Sequence, residues 1–185
     1  MNQSIHTIDL LYHLAGDVES VCAFAGLSIH KNIETEDIGV AILRFKNGAM
    51  GVIEGSTACF SPTGHAAEVQ ICGSDGSIFM KDDHFTVWDF RKRKPFDKRI
   101  MERYCAHSIS KGAGAADPTA ISFIGHQKNF EDAVRALRKG KIPRVDGKEA
   151  RKSIEIILAI YRSAQASGKP VSLPLKRTPV RRKFR

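Results

Sequence analysis

The sequence lacks long apolar runs, a secretion signal and paired cysteines. No apolar stretch approaches the roughly 18 residues needed to span a bilayer, and the start has no basic or apolar leader segment. A cytoplasmic location is therefore expected, with no membrane partner. The absence of any C-x-x-C spacing excludes a zinc ribbon or a thioredoxin-like motif. Free cysteine is usually buried, so four buried free thiols are expected: Cys22, Cys59, Cys72 and Cys105.

The composition is that of a globular protein with one core, since the chain has 185 residues, of which 42% are hydrophobic and 26% charged. The formal net charge of +9 is concentrated, because residues 176–185 hold six Lys/Arg and no acid. Subtracting these six from +9 leaves +3 for the remainder. A second basic cluster, Arg91–Lys94, is expected in a surface loop. Because such segments are usually solvated and flexible, no nucleic-acid partner is expected, and polyanion binding is an accessory alternative.

Apolar spacing predicts a helix at the start, then strands. Ile5, Ile8, Leu11, Tyr12 and Leu14 recur with helical period, and Gly16 is typical of a helix stop. Between residues 18 and 90 the period changes to two, and Asn47-Gly48 supplies the left-handed pair of a tight hairpin turn. We predict an antiparallel meander with these strands: Val18–Ile29, Ile38–Ile42, Met50–Thr57, Val69–Cys72, Ile78–Met80 and Phe85–Phe90.

The last third of the chain predicts a loop and two helices. Residues 91–117 are expected to form a loop, in which 112–117 fails as a G-x-G-x-x-G phosphate loop because Asp117 occupies the last glycine position. Asp117-Pro118 should open a helix that runs to Leu137, and Asp146 should cap another. The fold class is therefore α+β, with an open, mostly antiparallel sheet and helices packed on one face. A bare apolar sheet face favours a homo-oligomer.

The first predicted helix carries the candidate site. Asn2, His6, Asp9 and His13 are spaced i, i+4, i+7 and i+11, so they share the face opposite the apolar stripe. Histidine moves protons near neutral pH, and a neighbouring amide or carboxylate can hold a substrate hydroxyl. An exposed polar helix face is the alternative interpretation. His6, Asp9 and His13 are acceptable metal ligands, but no fourth ligand is evident, so no metal is predicted.

Several segments, in order, resemble one enzyme family. Residues 2–11, NQSIHTIDLL, resemble the D/N-x-x-x-H-x-x-D-L segment of the glucose–fructose oxidoreductase / inositol dehydrogenase / MocA (Gfo/Idh/MocA) family. Sheet-like segments of that family are similar to residues 16–21, 34–57 and 73–78, and its closing helices to 125–137 and 146–174. The resemblance extends over nearly the whole chain to about Pro174.

The resemblance implies that residues 1–175 form the C-terminal substrate and oligomerisation domain of a two-domain dehydrogenase, followed by a basic tail, 176–185. NAD or NADP in the intact enzyme would be bound mainly by an N-terminal Rossmann domain. We expect that domain and its catalytic lysine to be absent, so this chain alone should bind no cofactor and not turn over. By resemblance, His6 is catalytic, and the substrate-binding residues are Asn2, Asp9 and His126. Asn2 stands where many members have Asp.

Two functional hypotheses follow. The chain is the substrate-binding domain of an NAD(P)-dependent oxidoreductase acting on a sugar, polyol or nucleotide sugar, inactive without a Rossmann half that is lost or separately encoded. Alternatively, it is a non-catalytic oligomerisation or binding module derived from that family. Whether the chain itself is an enzyme stays open, because neither hypothesis gives it a complete active site.

Overall fold

The computed structural model describes residues 4–62, 64–82, 84–105 and 123–176. They divide into two compact units, one drawn from Met1–Cys59 with Glu131–Arg185 and the other from Phe60–Phe130. In chain order the elements are α1 (Ile5–Ala15), β1 (Val18–Gly26), β2 (Ile38–Phe45), β3 (Met50–Ser56), β4 (Glu68–Gly73), β5 (Gly76–Lys81), β6 (His84–Phe90), α2 (Pro95–Ile100), α3 (Ile124–Arg138), α4 (Gly147–Gln165) and β7 (Val171–Ser172).

The first unit is built on a four-stranded sheet in the order β3-β2-β1-β7, in which every pair is antiparallel. Helix α4 packs against β1, and α1 packs against α4. Alternate residues of a strand point to opposite faces, so one face of the sheet meets the helices. The core on that side is formed by apolar side chains from both helices and all four strands: Ile8, Tyr12, Val18, Val21, Ala23, Ala41, Leu43, Phe45, Ile53, Ile156, Ile157, Ala159, Ile160 and Val171.

The second unit contains a three-stranded antiparallel sheet in the order β4-β5-β6. Helix α2 follows the sheet and continues into one turn of π-helix, Met101–Cys105. The Trp88 indole N–H donates to the Asp97 carboxylate at 3.1 Å, which ties β6 to α2. Asp97 also accepts from the Lys94 backbone N–H, and this hydrogen bond holds the pKa of its carboxyl below the ordinary range.

The α+β class with antiparallel sheets is confirmed, as are several local signals. Gly16 ends α1 with φ of 91° and donates its N–H to the Tyr12 carbonyl at 2.8 Å. Asn47-Gly48 lies in the turn between β2 and β3, but only Gly48 is left-handed, with φ of 89°, so the predicted left-handed pair is not formed. Asp146 caps α4, accepting from the backbone N–H groups of Lys148 and Glu149 at 2.9 and 2.8 Å. The predicted meander is divided between two sheets, since β3 and β4 belong to different ones.

Some predictions were wrong. Cys59 and Cys72 are exposed and Cys22 and Cys105 half-buried, although all four are free. Cys22 alternates with the buried Val21 and Ala23 and so points to the other sheet face. Leu14 is 53% exposed because it lies half a turn from the buried stripe.

The loop predicted over residues 91–117 is wrong in its first half. Residues 95–105 are helical, since Pro95 suits a first helical turn and Asp97 caps it.

Three further predictions concern a helix start, the basic cluster Arg91–Lys94 and membrane insertion. The predicted helix start at Asp117-Pro118 lies outside the described residues, and α3 is described from Ile124 onward. The basic cluster Arg91–Lys94 is exposed, as expected. In the described ranges, no helix combines the length and apolar character that crossing a membrane requires.

Candidate functional site

The exposed face of α1 carries three of the predicted site residues. His6, Asp9 and His13 are exposed, whereas Ile8 and Tyr12 on the opposite side are buried. Helical geometry places the three polar residues within an arc of about 60°, with rises of about 4.5 Å and 6 Å between successive ones. None of the three side chains forms a hydrogen bond or an ion pair with the described part of the chain. Asn2 lies outside the described residues.

The first turn of α1 lies close against β3. A Cβ atom at Gly55 would come within 2.7 Å of the Ser4 hydroxyl oxygen, closer than such contacts occur. Glycine at this position therefore lets the helix start almost touch the strand. His6 is two residues beyond Ser4, so it lies next to this contact in the first turn of α1.

The other end of α1 is held by the turn between β2 and β3. The Asn47 side-chain amide donates to the Ala15 carbonyl at 2.9 Å, which satisfies one of the acceptors that a helix end leaves free. The same side chain accepts from the Ala49 backbone N–H at 3.0 Å, so its orientation is fixed from both sides. Both ends of α1 are thus positioned by the same hairpin.

A charged cluster that sequence reasoning missed joins α1 to α4 and to the sheet. Tyr12 donates its hydroxyl to the Asp17 carboxylate at 3.1 Å and accepts from the Lys152 ammonium group. Lys46 and Glu149 complete the cluster, pairing with Asp17 and Lys152 respectively at 3.0 Å each. The Lys46 hydrogen bond lowers the pKa of Asp17, and the Tyr12 hydrogen bond raises that of Lys152. Burial raises the pKa of Tyr12.

A second missed residue, Asp37, organises the connection from β1 to β2. Asp37 is 2% exposed, and its carboxylate accepts three backbone N–H groups, from Ser28, Ile29 and His30, at 2.6, 2.8 and 2.9 Å. These hydrogen bonds, led by that of His30, hold the pKa of Asp37 far below its ordinary value. The Asp37 side chain acts as a backbone anchor, a role that no local spacing signals.

His126 is described in the second unit, separately from α1. It is exposed and lies in the first turn of α3. The structure therefore places His6 and Asp9 on one helix face, and it places His126 on the part of α3 that belongs to the second unit. Among the described residues, no three His, Cys, Asp or Glu side chains form a group that could hold a metal ion.

The fold and this helix can be compared with known proteins. Residues 1–173 match the family described as "Oxidoreductase family, C-terminal alpha/beta domain", in the Gfo/Idh/MocA group. The chain belongs to this oxidoreductase family. The resemblance of residues 2–11 to the family's histidine-containing segment is therefore part of a match that extends over most of the chain.

Individual relatives agree with this assignment. Over 94% of its length the chain is 26% identical to the scyllo-inositol 2-dehydrogenase (NAD(+)) of Bacillus subtilis, and over 84% it is 26% identical to the myo-inositol 2-dehydrogenase of Thermotoga maritima. Those matches cover 47% and 46% of the two relatives. The chain thus spans about half the length of the curated relatives it matches.

A solved structure gives the same picture. The WlbA dehydrogenase of Bordetella pertussis, determined in complex with NADH and UDP-GlcNAcA, is 32% identical with a TM-score of 0.75. The similarity covers 95% of this chain and 46% of that one. The chain is therefore similar to one half of larger proteins, two of which are named as inositol dehydrogenases and one of which was solved with a nucleotide sugar bound.

Proposed function

We propose that this chain forms the substrate side of an NAD-dependent dehydrogenase acting on a hydroxyl group of a sugar, polyol or nucleotide sugar. In this proposal His6 accepts the hydroxyl proton as the substrate carbon is oxidised. The observation that carries it is the exposed face of α1, where the His6 and Asp9 side chains are without partners in the described chain although both ends of the helix lie against the hairpin of β2 and β3. Folding does not require these polar side chains to share one exposed face, whereas a group that takes a proton must be held in position at its substrate.

The chemistry divides between this chain and a nicotinamide cofactor. When bound, NAD accepts the hydride from the carbon that carries the hydroxyl. The protein must take the proton from the hydroxyl oxygen, and an imidazole suits that role near neutral pH. Asp9, one turn further on, would hold a neighbouring substrate hydroxyl or orient the His6 ring, and Asn2 and His126 are proposed to contact other hydroxyls.

The cofactor itself would be held elsewhere in the intact enzyme. A dinucleotide is bound at a glycine-rich turn between a strand and a helix, and no such turn joins a strand to a helix among the described residues. We therefore assign residues 1–175 to a substrate and oligomerisation domain, 176–185 to a basic tail, and NAD binding to a Rossmann half outside this chain. The inositol dehydrogenase named for NAD(+) and the WlbA complex with NADH favour NAD over NADP.

A chimaera tests the proposal. The NAD-binding half of the Bordetella pertussis WlbA dehydrogenase would be joined to this chain, and NADH formation measured with a panel of inositols, sugars and nucleotide sugars. Activity is expected in the chimaera and not in either half alone. A folded chimaera that binds NADH yet oxidises none of these substrates would contradict the proposal and favour the non-catalytic module.

The role of His6 is tested by two histidine variants of the chimaera. His6→Ala should lower kcat about 10²- to 10⁴-fold, the usual contribution of a general base. His13→Ala is the matched control, because His13 lies on the same exposed helix face about 10 Å further along the axis. Equal losses in the two variants would indicate that the face matters only for folding or docking.

We further propose that the chain associates with a second copy through the outer face of the four-stranded sheet. This surface, called the outer face below, carries five large exposed apolar side chains: Phe24, Val40, Ile42, Met50 and Val52. Contiguous exposed apolar patches mark interaction sites more often than free surface. A chain that stays monomeric at all accessible concentrations in sedimentation would refute this association without affecting the dehydrogenase proposal.

A further inference from the structure

The second unit has a strongly basic segment that the dehydrogenase proposal does not use. It runs from the end of β6 through α2 into the turn of π-helix, and residues 91–103 hold seven cationic side chains. All seven are exposed, and they are called the basic surface below: Arg91, Lys92, Arg93, Lys94, Lys98, Arg99 and Arg103.

Little negative charge is available to neutralise the basic surface. Of the two carboxylates within residues 91–103, Asp97 is 4% exposed and already accepts the hydrogen bonds that tie α2 to β6, and Glu102 pairs with Lys98 at 3.8 Å. The other six cations form no ion pair with the described residues. Outside the described ranges the chain has three further carboxylates, which are its C-terminus, Asp83 and Asp117. Subtracting these three from six leaves at least three cations to solvent or to another molecule.

The helical part of this segment is anchored to the sheet of the second unit. At its start the Trp88 indole donates to Asp97, and in its last turn the Tyr104 ring packs edge-on against Phe85, with ring centroids 6.3 Å apart. The expectation that no nucleic acid binds assumed a solvated, flexible segment, and residues 95–105 do not meet that condition. Cations that are held in place lose less conformational freedom when they bind a partner.

Two exposed aromatic rings lie among the cations. Phe96 is 50% exposed and Tyr104 41%. The Lys94 ammonium nitrogen lies 5.7 Å from the centroid of the Phe96 ring, and the Arg103 guanidinium carbon 5.4 Å from that of Tyr104. Arg99 and Arg103 follow Phe96 by three and seven residues, a spacing that keeps side chains on one side of a helix. Exposed rings beside cations are the combination with which proteins bind single strands, because bases stack on the rings and phosphates pair with the cations.

We propose that the basic surface binds single-stranded nucleic acid, with bases stacked on Phe96 and Tyr104 and phosphates paired with the neighbouring cations. This is a binding activity beyond the dehydrogenase proposal. A single strand fits this surface better than a duplex, because its bases are free to reach the rings. An anionic membrane fits less well, since α2 presents Phe96 but no broad apolar face of the kind that lies in a bilayer surface.

Fluorescence anisotropy of a labelled oligothymidylate of about 20 nucleotides measures binding by the full chain at several salt concentrations. Arg99→Gln with Arg103→Gln should weaken binding at least tenfold at low salt. It should also lower the slope of log affinity against log salt by about 1.4, since each phosphate contact on a single strand contributes about 0.7. Arg151→Gln with Arg162→Gln is the matched control, because both residues are exposed on α4 and the net charge changes equally. Unfolding temperatures check that each variant folds.

Phe96→Ala separates stacking from charge. It should weaken binding about 5- to 100-fold, the loss expected for one stacked base, and leave the salt slope unchanged. Phe24→Ala is the matched control, since Phe24 is an exposed ring in the first unit.

Three results would overturn the proposal. The first is an unchanged chain that does not bind the oligothymidylate at low salt. The second is binding that persists in the double arginine variant and disappears when residues 177–185 are removed, which would place the site in the basic tail. The third is unchanged binding in Phe96→Ala together with equal affinity for polyglutamate or phosphatidylserine vesicles, which would show a general polyanion surface. None of these results bears on the activity of the chimaera.

Discussion

The two faces of the four-stranded sheet are made by the same strands but differ in what covers them. In β2, Ala41, Leu43 and Phe45 are at most 2% exposed beneath the helices. Their neighbours Val40 and Ile42 are 42% and 58% exposed on the outer face. The buried face accounts for the folding of this unit. The outer apolar side chains contribute little to that folding, which is why we assign them to contact with another molecule.

Helix α1 repeats this contrast. Ile8 is 2% exposed and Tyr12 9%, while His6, Asp9 and His13 face solvent without partners in the described chain. The covered sides of both elements explain stability, and the uncovered sides hold the candidate interface and the candidate site. This division can be tested by comparing a substitution on a covered side with a similar substitution on an uncovered side.

The largest expected effect comes from Phe45→Ala on the buried face. Removal of a buried phenylalanine ring should lower the free energy of unfolding by about 3–5 kcal/mol, through lost burial and the cavity left behind. Urea denaturation of dilute protein measures it. The matched control is Phe24→Ala, since Phe24 is 69% exposed on the outer face, and a change of only about 0.5 kcal/mol is expected. Equal losses of unfolding free energy in Phe45→Ala and Phe24→Ala would show that the two sheet faces contribute equally to folding.

Ile42→Asp should abolish most self-association without unfolding the chain. A carboxylate buried without a partner in an apolar interface is strongly unfavourable, so the dissociation constant should rise about a hundredfold or more. Sedimentation equilibrium measures the constant. Ile154→Asp is the control, because Ile154 is 47% exposed on α4 and away from the outer face. If both variants associate as the unchanged chain does, the outer face is not the interface.

Asp146→Ala should loosen the first turn of the helix that covers the buried face. Loss of the side chain that accepts from Lys148 and Glu149 is expected to lower the free energy of unfolding by about 0.5–2 kcal/mol. Thermal and urea unfolding measure the change. Asp146→Asn keeps a capping side chain and should retain most of the stability. A larger loss of unfolding free energy in Asp146→Asn than in Asp146→Ala would contradict a capping role for Asp146.

The smallest expected effect is the pH dependence at Asp17. Its pKa is lowered by the Lys46 hydrogen bond, so the stabilisation is present above the unfolded value of about 3.9 and lost as pH falls through the folded value. Asp17→Asn should therefore unfold at a slightly lower temperature than the unchanged chain at pH 7, and the difference should vanish in acid. Asp9→Asn, at a carboxylate with no ion pair in the described chain, should leave the unfolding temperature unchanged.

Features set by neighbouring residues could be predicted from the sequence. Gly16 and Asp146 mark helix ends through their own backbone and capping geometry, and Asn47-Gly48 marks a turn for the same reason. The shared face of His6 and Asp9 follows from helix period alone. These signals act over a few residues, so no tertiary information is needed to find them.

Features that depend on distant contacts could not be predicted. Lys152 and Tyr12 are 140 residues apart in sequence, yet they join α4 to α1. The exposure of Cys22 depends on which sheet face the helices cover, and a cysteine does not reveal that face. The division between β3 and β4 into two sheets is likewise a matter of long-range pairing. His126 stays a prediction as a substrate residue.

Chemical rescue in the chimaera tests the central claim most directly. Added imidazole should restore part of the oxidation rate of His6→Ala, in proportion to its concentration, because it replaces the missing proton acceptor on α1. It should not accelerate the unchanged chimaera or His13→Ala. The contradicting result is a His6→Ala chimaera that oxidises its substrate as fast as the unchanged one, which would show that α1 does not carry the proton acceptor.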